Sequence, residues 1–418
     1  MMIYRAQLAR AEALLGELLA TSGPADAAVS RYFKAHRNLG QQDRAFVAET
    51  VYAVLRRRRS LEAAAQSAAP RDLAIAALAR VRGLSARALQ DVLREDEQAL
   101  AGRIRAARTE SFPPAVRADL PDWLWERLAA LHGEEEAMRV AQGLLNPAPL
   151  DLRVNLAKMG RDEALAQLRA SGIEAEPTPH SPAGLRLAAK PAINRHPLFT
   201  QGAIEVQDEG SQLLAYLLAP RRGEMIADYC AGAGGKTLAI AMLMRGTGRI
   251  YAMDVSARRL AELAPRAARA GVTNVHPLVL SGDGDARAKR LAGKLDRVLV
   301  DAPCSGFGTL RRNPDLKWRH GPQAIAELAA KQAGILEAAA RLVKPGGRLV
   351  YATCSILPDE NEAIADAFAA AHAQQFVPLS CRELLAAQRI AIDCGERLRL
   401  WPHRHGCDGF FAAAFERR

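Results

Sequence analysis

Two cysteines stand in short turn-forming stretches late in the chain, Pro303-Cys304-Ser305-Gly306 and Thr353-Cys354-Ser355. Each follows an apolar run suited to a buried strand. A buried cysteine usually acts as a small hydrophobe. Turns are different, because solvent and substrate reach them. A thiol placed there becomes a nucleophile once its proton leaves near neutral pH. Upstream, the turn Cys230-Ala231-Gly232-Ala233-Gly234-Gly235-Lys236 follows another apolar run. Its glycines let backbone approach a ligand closely. Its spacing fits neither a Walker loop nor the dinucleotide fingerprint in its usual context. Asp254, Asp283 and Asp301 end three later apolar runs. A carboxylate at Asp254, 20 residues after Gly234, can accept from both hydroxyls of a ribose. Asp283 can accept from an adenine amino group. Each aspartate alone reads as a cap or turn residue. Together at successive strand ends they fit an adenosine-bearing ligand.

The elements that must position these residues begin near residue 200. Strands are expected at 225–229, 249–253, 275–280, 295–300 and 348–352. Helices are expected between them at 236–244, 257–270 and 323–343, and after the last at 359–371. Two tail strands, 376–379 and 410–415, suit an antiparallel edge. Alternating strands and helices imply a mostly parallel sheet with helices on both faces. Ligands on such sheets bind beyond the carboxyl ends of the strands. If the fourth and fifth strands are neighbours, both thiols share one rim with the aspartates.

Earlier in the chain the patterning changes. Residues 1–118 read as helical, with apolar residues such as Phe46, Val47, Val51, Val54 and Leu55 at helical spacing. Arg56, Arg57, Arg58 and Arg59 close that helix, where cations suit the helix dipole and can also meet phosphate. Pro113, Pro114 and Pro121 mark a break. Residues 119–200 then read as a small α+β unit with helices at 123–131, 135–145 and 161–171 and one strand at 150–154. Residues 201–418 form the third part.

The 418 residues carry a formal net charge of +11, which favours an anionic partner such as nucleic acid. Six cysteines are scattered without a CxxC pair, so neither a zinc ribbon nor a disulfide framework is indicated. Glu12 and Glu17 interrupt the apolar N-terminal stretch, which reads as an amphipathic helix rather than a signal sequence. No apolar run is long enough to span a bilayer. A soluble, cytoplasmic, metal-free monomer is expected.

The stretches DYCAGAGGKT, DAPCSGFGTLRRNPDLKW and YATCSILPDENE resemble three motifs of the NOL1/NOP2/Sun family of RNA cytosine-5 methyltransferases. The resemblance covers about residues 119–418 and includes RLWPHRHGCDGFF near the end. It implies a Rossmann-like class I methyltransferase fold with a mostly parallel, seven-stranded sheet. It also implies S-adenosyl-L-methionine as cofactor, held by residues 230–236 with Asp254, Asp283 and Asp301. Carbon 5 of cytosine is too weak a nucleophile to take a methyl group directly. A thiolate adding to carbon 6 makes carbon 5 enamine-like. The chemistry asks for a thiol without saying which. The resemblance implies that Cys354 attacks, that Cys304 assists product release, and it leaves Asp301 as the acidic partner nearest cytosine N3. The usual CAAPGGKT has become CAGAGGKT, with Gly232 gained and a proline lost.

Residues 43–61 resemble part of a NusB-like helical RNA-binding domain, found in bacterial members that act on the small ribosomal subunit. That similarity implies an RNA-binding helical domain at 1–118, and 119–200 resembles the small subdomain that precedes the catalytic core in this family, so an RNA-binding subdomain is expected there and the catalytic domain at 201–418. The expected substrate is 16S rRNA, with tRNA as the alternative. A non-catalytic RNA-binding ribosome-assembly factor is the reading from another class, and the intact cysteines oppose it. Arg311, Arg312 and Lys317 follow the Cys304 turn and are expected to hold RNA phosphates. Trp318 is read as packing more readily than stacking on a base.

Overall fold

The computed structural model describes residues 4–21, 23–282 and 284–418. The chain divides into two compact units. The first comprises Met1–Pro147 together with Thr309–Pro322. It is helical, with Arg5–Ala20, Gln41–Arg56, Pro70–Ala76 and Glu95–Ala106 among its helices. Leu8, Leu15, Val47, Val51, Leu73, Leu78 and Ile104 are fully or almost fully buried in one core. The 3.6-residue period that predicted this region is therefore the period of its buried stripe.

The arginine run ends the helix Gln41–Arg56 and opens the next, Arg58–Ala65. Most of its charge is engaged within the unit. Arg56 donates to Arg311 O at 3.1 Å, Arg58 pairs with Glu62 at 2.7 Å, and Arg59 pairs with Asp122 at 2.7 Å. Contacts within the unit thus account for three of these guanidinium groups without a phosphate.

The second unit comprises Ala148–Gly308 and Gln323–Arg418. It begins with a four-stranded antiparallel sheet built from β1 (Leu150–Val154), β2 (Ala175–Pro177), β3 (Gly184–Leu187) and β4 (Ile204–Val206), in the order β2-β3-β1-β4. Sequence patterning anticipated only β1. The other three strands have three or four residues each, too few for alternation to register.

The large sheet contains β5 (Met225–Asp228), β6 (Arg249–Asp254), β7 (Val275–Val279), β8 (Leu295–Asp301), β9 (Val343–Thr353), β10 (Phe376–Leu379), β11 (Leu398–Leu400) and β12 (Phe410–Arg417). Its main path runs β10-β12-β9-β8-β5-β6-β7, and β11 pairs with β12 beside that path. Seven strands in the main path match the expected Rossmann-like sheet, and β11 is an addition. Pairs among β5 to β9 are parallel, and β12 enters antiparallel beside β9.

Successive residues of each strand face opposite sides. Leu299, Val350, Ala352 and Ala412 pack with the helix Glu209–Leu218. Val298, Val300, Leu349, Tyr351 and Phe411 pack with Ile335, Leu336 and Ala339 of the helix Pro322–Ala340. Strand order reverses between β5 and β8, which opens a crevice at their carboxyl ends. β8 and β9 are neighbours, with Asp301 opposite Ala352. The condition for bringing both cysteine turns to one rim is met.

Candidate active site

The turn after β5 is shaped by backbone rather than by side chains. Gly232 has φ +54° and Gly234 has φ +85°. A Cβ at Gly234 would fall 2.2 Å from Leu263 Cδ1, so both conformation and space call for glycine. The helix Gly235–Leu243 starts directly from this turn. Arg266 donates to Ala233 O at 2.6 Å, and Arg153 donates to Gly235 O at 2.9 Å. Two guanidinium groups therefore hold carbonyls of this turn.

Asp254 ends β6 and is buried. Its Oδ2 accepts from Gly232 N at 2.8 Å and its Oδ1 from Ser256 N at 2.7 Å. A carboxylate has about four acceptor positions, so two remain for a ligand's hydroxyls. Val255 beside it is 60% exposed, an apolar surface left uncovered at the same rim. Asp283 lies outside the described residues.

Asp301 ends β8 and accepts a hydrogen bond from Lys236 Nζ at 2.6 Å. Burial works to lower the Lys236 pKa. The charge and hydrogen bond of Asp301 and the charge of the Cys354 sulfur outweigh it, and the pKa is raised. The ammonium therefore persists beside both groups.

Asp228, at the end of β5, is fully buried and accepts from Thr237 Oγ1 at 2.7 Å. Burial pushes its carboxyl up to about 6. Folding thus favours its protonated form. The stability it contributes is present below the unfolded pKa of 3.8 and is lost as pH rises through about 6. We expect Asp228→Asn to flatten the fall in melting temperature between pH 4.5 and pH 7. The wild-type loss over that range is about 2 kcal/mol by the usual conversion of pKa shifts. An unchanged slope in the variant would place the pH dependence elsewhere.

The two cysteine turns converge. Cys304 Sγ and Cys354 Sγ are 3.3 Å apart, both free and half-buried. The Cys304 pKa is raised well above the usual thiol range by its hydrogen bond to Cys354, by burial, and by the charges of Cys354 and Glu360. Beside the pair, Gly308 N donates to Cys354 O at 2.8 Å, and Gly409 N donates to Gly308 O at 2.8 Å. A Cβ on Gly308 would fall 2.1 Å from Gly409 O and 2.8 Å from Cys354 O. Gly308→Ala is therefore expected to destabilise the protein by about 1–3 kcal/mol, as overpacking against backbone does. A thermal melt reads this directly, and an unshifted transition would refute the close approach.

A cleft of about 340 Å³ opens at this rim, lined by Tyr229, Cys230, Asp254, Val255, Ser256, Arg259, Leu280, Asp301, Ala302, Pro303, Cys304, Lys331, Ile335 and Cys354. Its volume suits a small organic ligand. The structure thus gathers Cys230, Asp254, Asp301, Cys304 and Cys354 around one space, with Lys236 bonded to Asp301. It adds Val255, Arg259, Lys331 and Ile335, which no local pattern had marked.

The phosphate-binding expectation for the segment after Cys304 fails for two residues. Arg311 and Lys317 are buried in the helical unit, and Lys317 donates to Arg56 O at 2.7 Å. Burial pushes the Lys317 ammonium down to about 7. A charge sunk among helices does not meet phosphate in solvent. Arg312 is half-buried. Trp318 packs as expected, with its Nε1 donating to Leu55 O at 2.8 Å.

Comparison with known proteins agrees with this geometry. A family described as 16S rRNA methyltransferase RsmB/F matches residues 215–416. A ferredoxin-like domain of RsmF/B-like methyltransferases matches residues 120–194. A probable ribosomal RNA small subunit methyltransferase B from Synechocystis is 34% identical, over 93% of this chain and 94% of that one. Its counterpart from Bacillus subtilis is 35% identical over 73% and 68%. A solved methyltransferase homologue from Pyrococcus horikoshii is 30% identical, covers 73% of this chain and 98% of its own, and has a TM-score of 0.62.

Proposed function

The chain belongs to the 16S rRNA methyltransferase RsmB/F family, and on that premise we propose that it methylates carbon 5 of a cytosine in 16S rRNA, using S-adenosylmethionine. The observation that carries this reading is the pair of thiols 3.3 Å apart beside the Asp301–Lys236 ion pair. S-adenosylmethionine, when bound, supplies an electrophilic methyl group on a sulfonium. The residues present fit it: the glycine turn 230–236, the anchored Asp254 carboxylate with acceptor positions to spare, and the uncovered Val255 surface. Asp283 is assigned to the adenine side.

Each remaining role follows from charge and distance. Lys236 keeps its ammonium at the rim where the thiols meet, held by the charge and hydrogen bond of Asp301 and by the charge of the Cys354 sulfur. Cys304 shares a hydrogen bond with Cys354, and its raised pKa favours the protonated form. We assign Cys354 as the nucleophile that forms a bond to cytosine carbon 6. Asp301 takes the N3 side of the ring, where its carboxylate stabilises the proton that N3 takes up from solvent as the adduct forms. After methylation, carbon 5 must lose its proton. The electron pair then restores the ring double bond and expels the Cys354 thiolate. Once Cys354 is bonded to carbon, the hydrogen bond that most raised the Cys304 pKa is gone. We assign Cys304, its own proton released to solvent at that stage, to take the carbon 5 proton.

The target base must be unstacked to reach these thiols, so a loop or bulge is favoured over a duplex interior. The helical unit and the small antiparallel sheet are assigned to holding RNA around it. Bisulfite sequencing of total RNA with and without the gene tests the substrate. A methylcytosine missing from 16S rRNA is the expected result, and one missing from tRNA alone overturns the rRNA assignment.

A further inference from the structure

The PDENE stretch after Cys354 contributes one group to the cysteine turns. Glu360 is fully buried, and its carboxylate meets four donors, none of them a cation. Oε1 accepts from Ser305 N at 2.8 Å and from Gln332 Nε2 at 3.0 Å. Oε2 accepts from both the Ser305 and the Ser355 hydroxyls. Ser305 follows Cys304 and Ser355 follows Cys354. One carboxylate therefore ties the residue after one thiol to the residue after the other.

We propose that Glu360 is a positioning residue that fixes the separation of the Cys304 and Cys354 thiols by clamping Ser305 and Ser355 together. Parallel strands β8 and β9 end side by side, but nothing in the ladder fixes turns beyond it. The remaining contacts reinforce the clamp. Gln332 also donates to Pro303 O at 3.0 Å, and Asn361 Nδ2 donates to Ser355 O at 3.0 Å. Tyr351 OH donates to Glu360 O at 2.5 Å, seating the backbone that carries the carboxylate. Removing the carboxylate would leave the Ser305 N–H without its buried acceptor and the two hydroxyls with only their 3.2 Å contact to each other, so the turns would move to find other partners.

The inference rests on the proposed roles of the two thiols, and its test has one arm that needs no RNA. Oxidised glutathione converts the pair to a disulfide in two exchanges. One cysteine thiolate forms a mixed disulfide and releases a glutathione. The other displaces the second glutathione. The rate of that second step reports thiol separation. We expect Glu360→Ala to slow closure by about 10- to 100-fold, in line with the effect of small misplacements on proximity. The same variant should lower kcat by a comparable factor, while its KM for S-adenosylmethionine stays within about twofold. Glu360→Gln keeps the shape and part of the bonding, so it should rescue closure and kcat partly. Should Glu360→Ala not fold, Ser305→Ala combined with Ser355→Ala must slow closure instead. Closure at the wild-type rate in the folded variants would overturn the clamp. Slowed closure without any RNA methylation by the wild type would overturn the proposed function and leave the clamp standing.

Discussion

Replacing Cys354 with alanine should reduce methyl transfer to RNA by about 10⁴-fold or more, the scale seen when a covalent nucleophile is removed. Binding of S-adenosylmethionine should stay near the wild-type value, because the anchoring bonds of Asp254 and the glycine turn do not involve Cys354. Isothermal titration with the cofactor and a tritium-transfer assay on RNA measure the two halves separately. The asymmetry between the thiols makes the prediction specific. Lys236 keeps its ammonium near Cys354, and Glu360 opposes negative charge at Cys304. Removing Cys354 also removes the largest cause of the raised Cys304 pKa, leaving burial and the Glu360 charge to keep it high. Alkylation of Cys304 in the variant should therefore begin at a lower pH than in the wild type. Methylation that survives the substitution would transfer the nucleophile's role to another residue. Loss of cofactor binding together with activity would make Cys354 a structural residue of the cleft.

Much of this site was legible from local sequence because it is built at strand ends. β5 to β9 are separated by helices, so their carboxyl ends could be marked to within a residue, while β9 starts at Val343, five residues before its expected 348. Turn residues at those ends then fell on one rim. What stayed hidden depends on side chains that travel. Lys317 follows an exposed-looking basic stretch, yet the segment folds into the helical unit and sinks its ammonium against Arg56 O. Glu360 sits in a motif that was noticed, but its return to Ser305 across 55 residues leaves no periodic trace. The strands β2, β3 and β4 are too brief for alternation to show. The choice between the thiols was also illegible, because Cys304 and Cys354 have similar neighbours in sequence. The family resemblance supplies the preference for Cys354, and the placement of Glu360 adds only that negative charge is opposed at Cys304.

The same asymmetry sets what Cys304→Ala should do. The nucleophile and the ammonium near it remain, so the bond from Cys354 to carbon 6 should still form. The residue assigned to take the carbon 5 proton is gone, and the methylated adduct cannot expel its thiolate efficiently. A protein–RNA complex that survives denaturing electrophoresis should accumulate, and turnover should fall by about 10²-fold or more, the usual contribution of a positioned general base. Formation of the complex should require Cys354, so a double alanine variant should show none. Cys304→Ser sharpens the test. A hydroxyl keeps a hydrogen-bonding group near Cys354 but does not ionise near neutral pH, so the adduct should persist there too. If Cys304→Ser turns over normally while Cys304→Ala traps RNA, the group is needed for its hydrogen bond rather than as a base. If neither variant traps RNA and both turn over at the wild-type rate, Cys304 serves the fold, and the base must be sought among the other groups at the rim, Asp301 first.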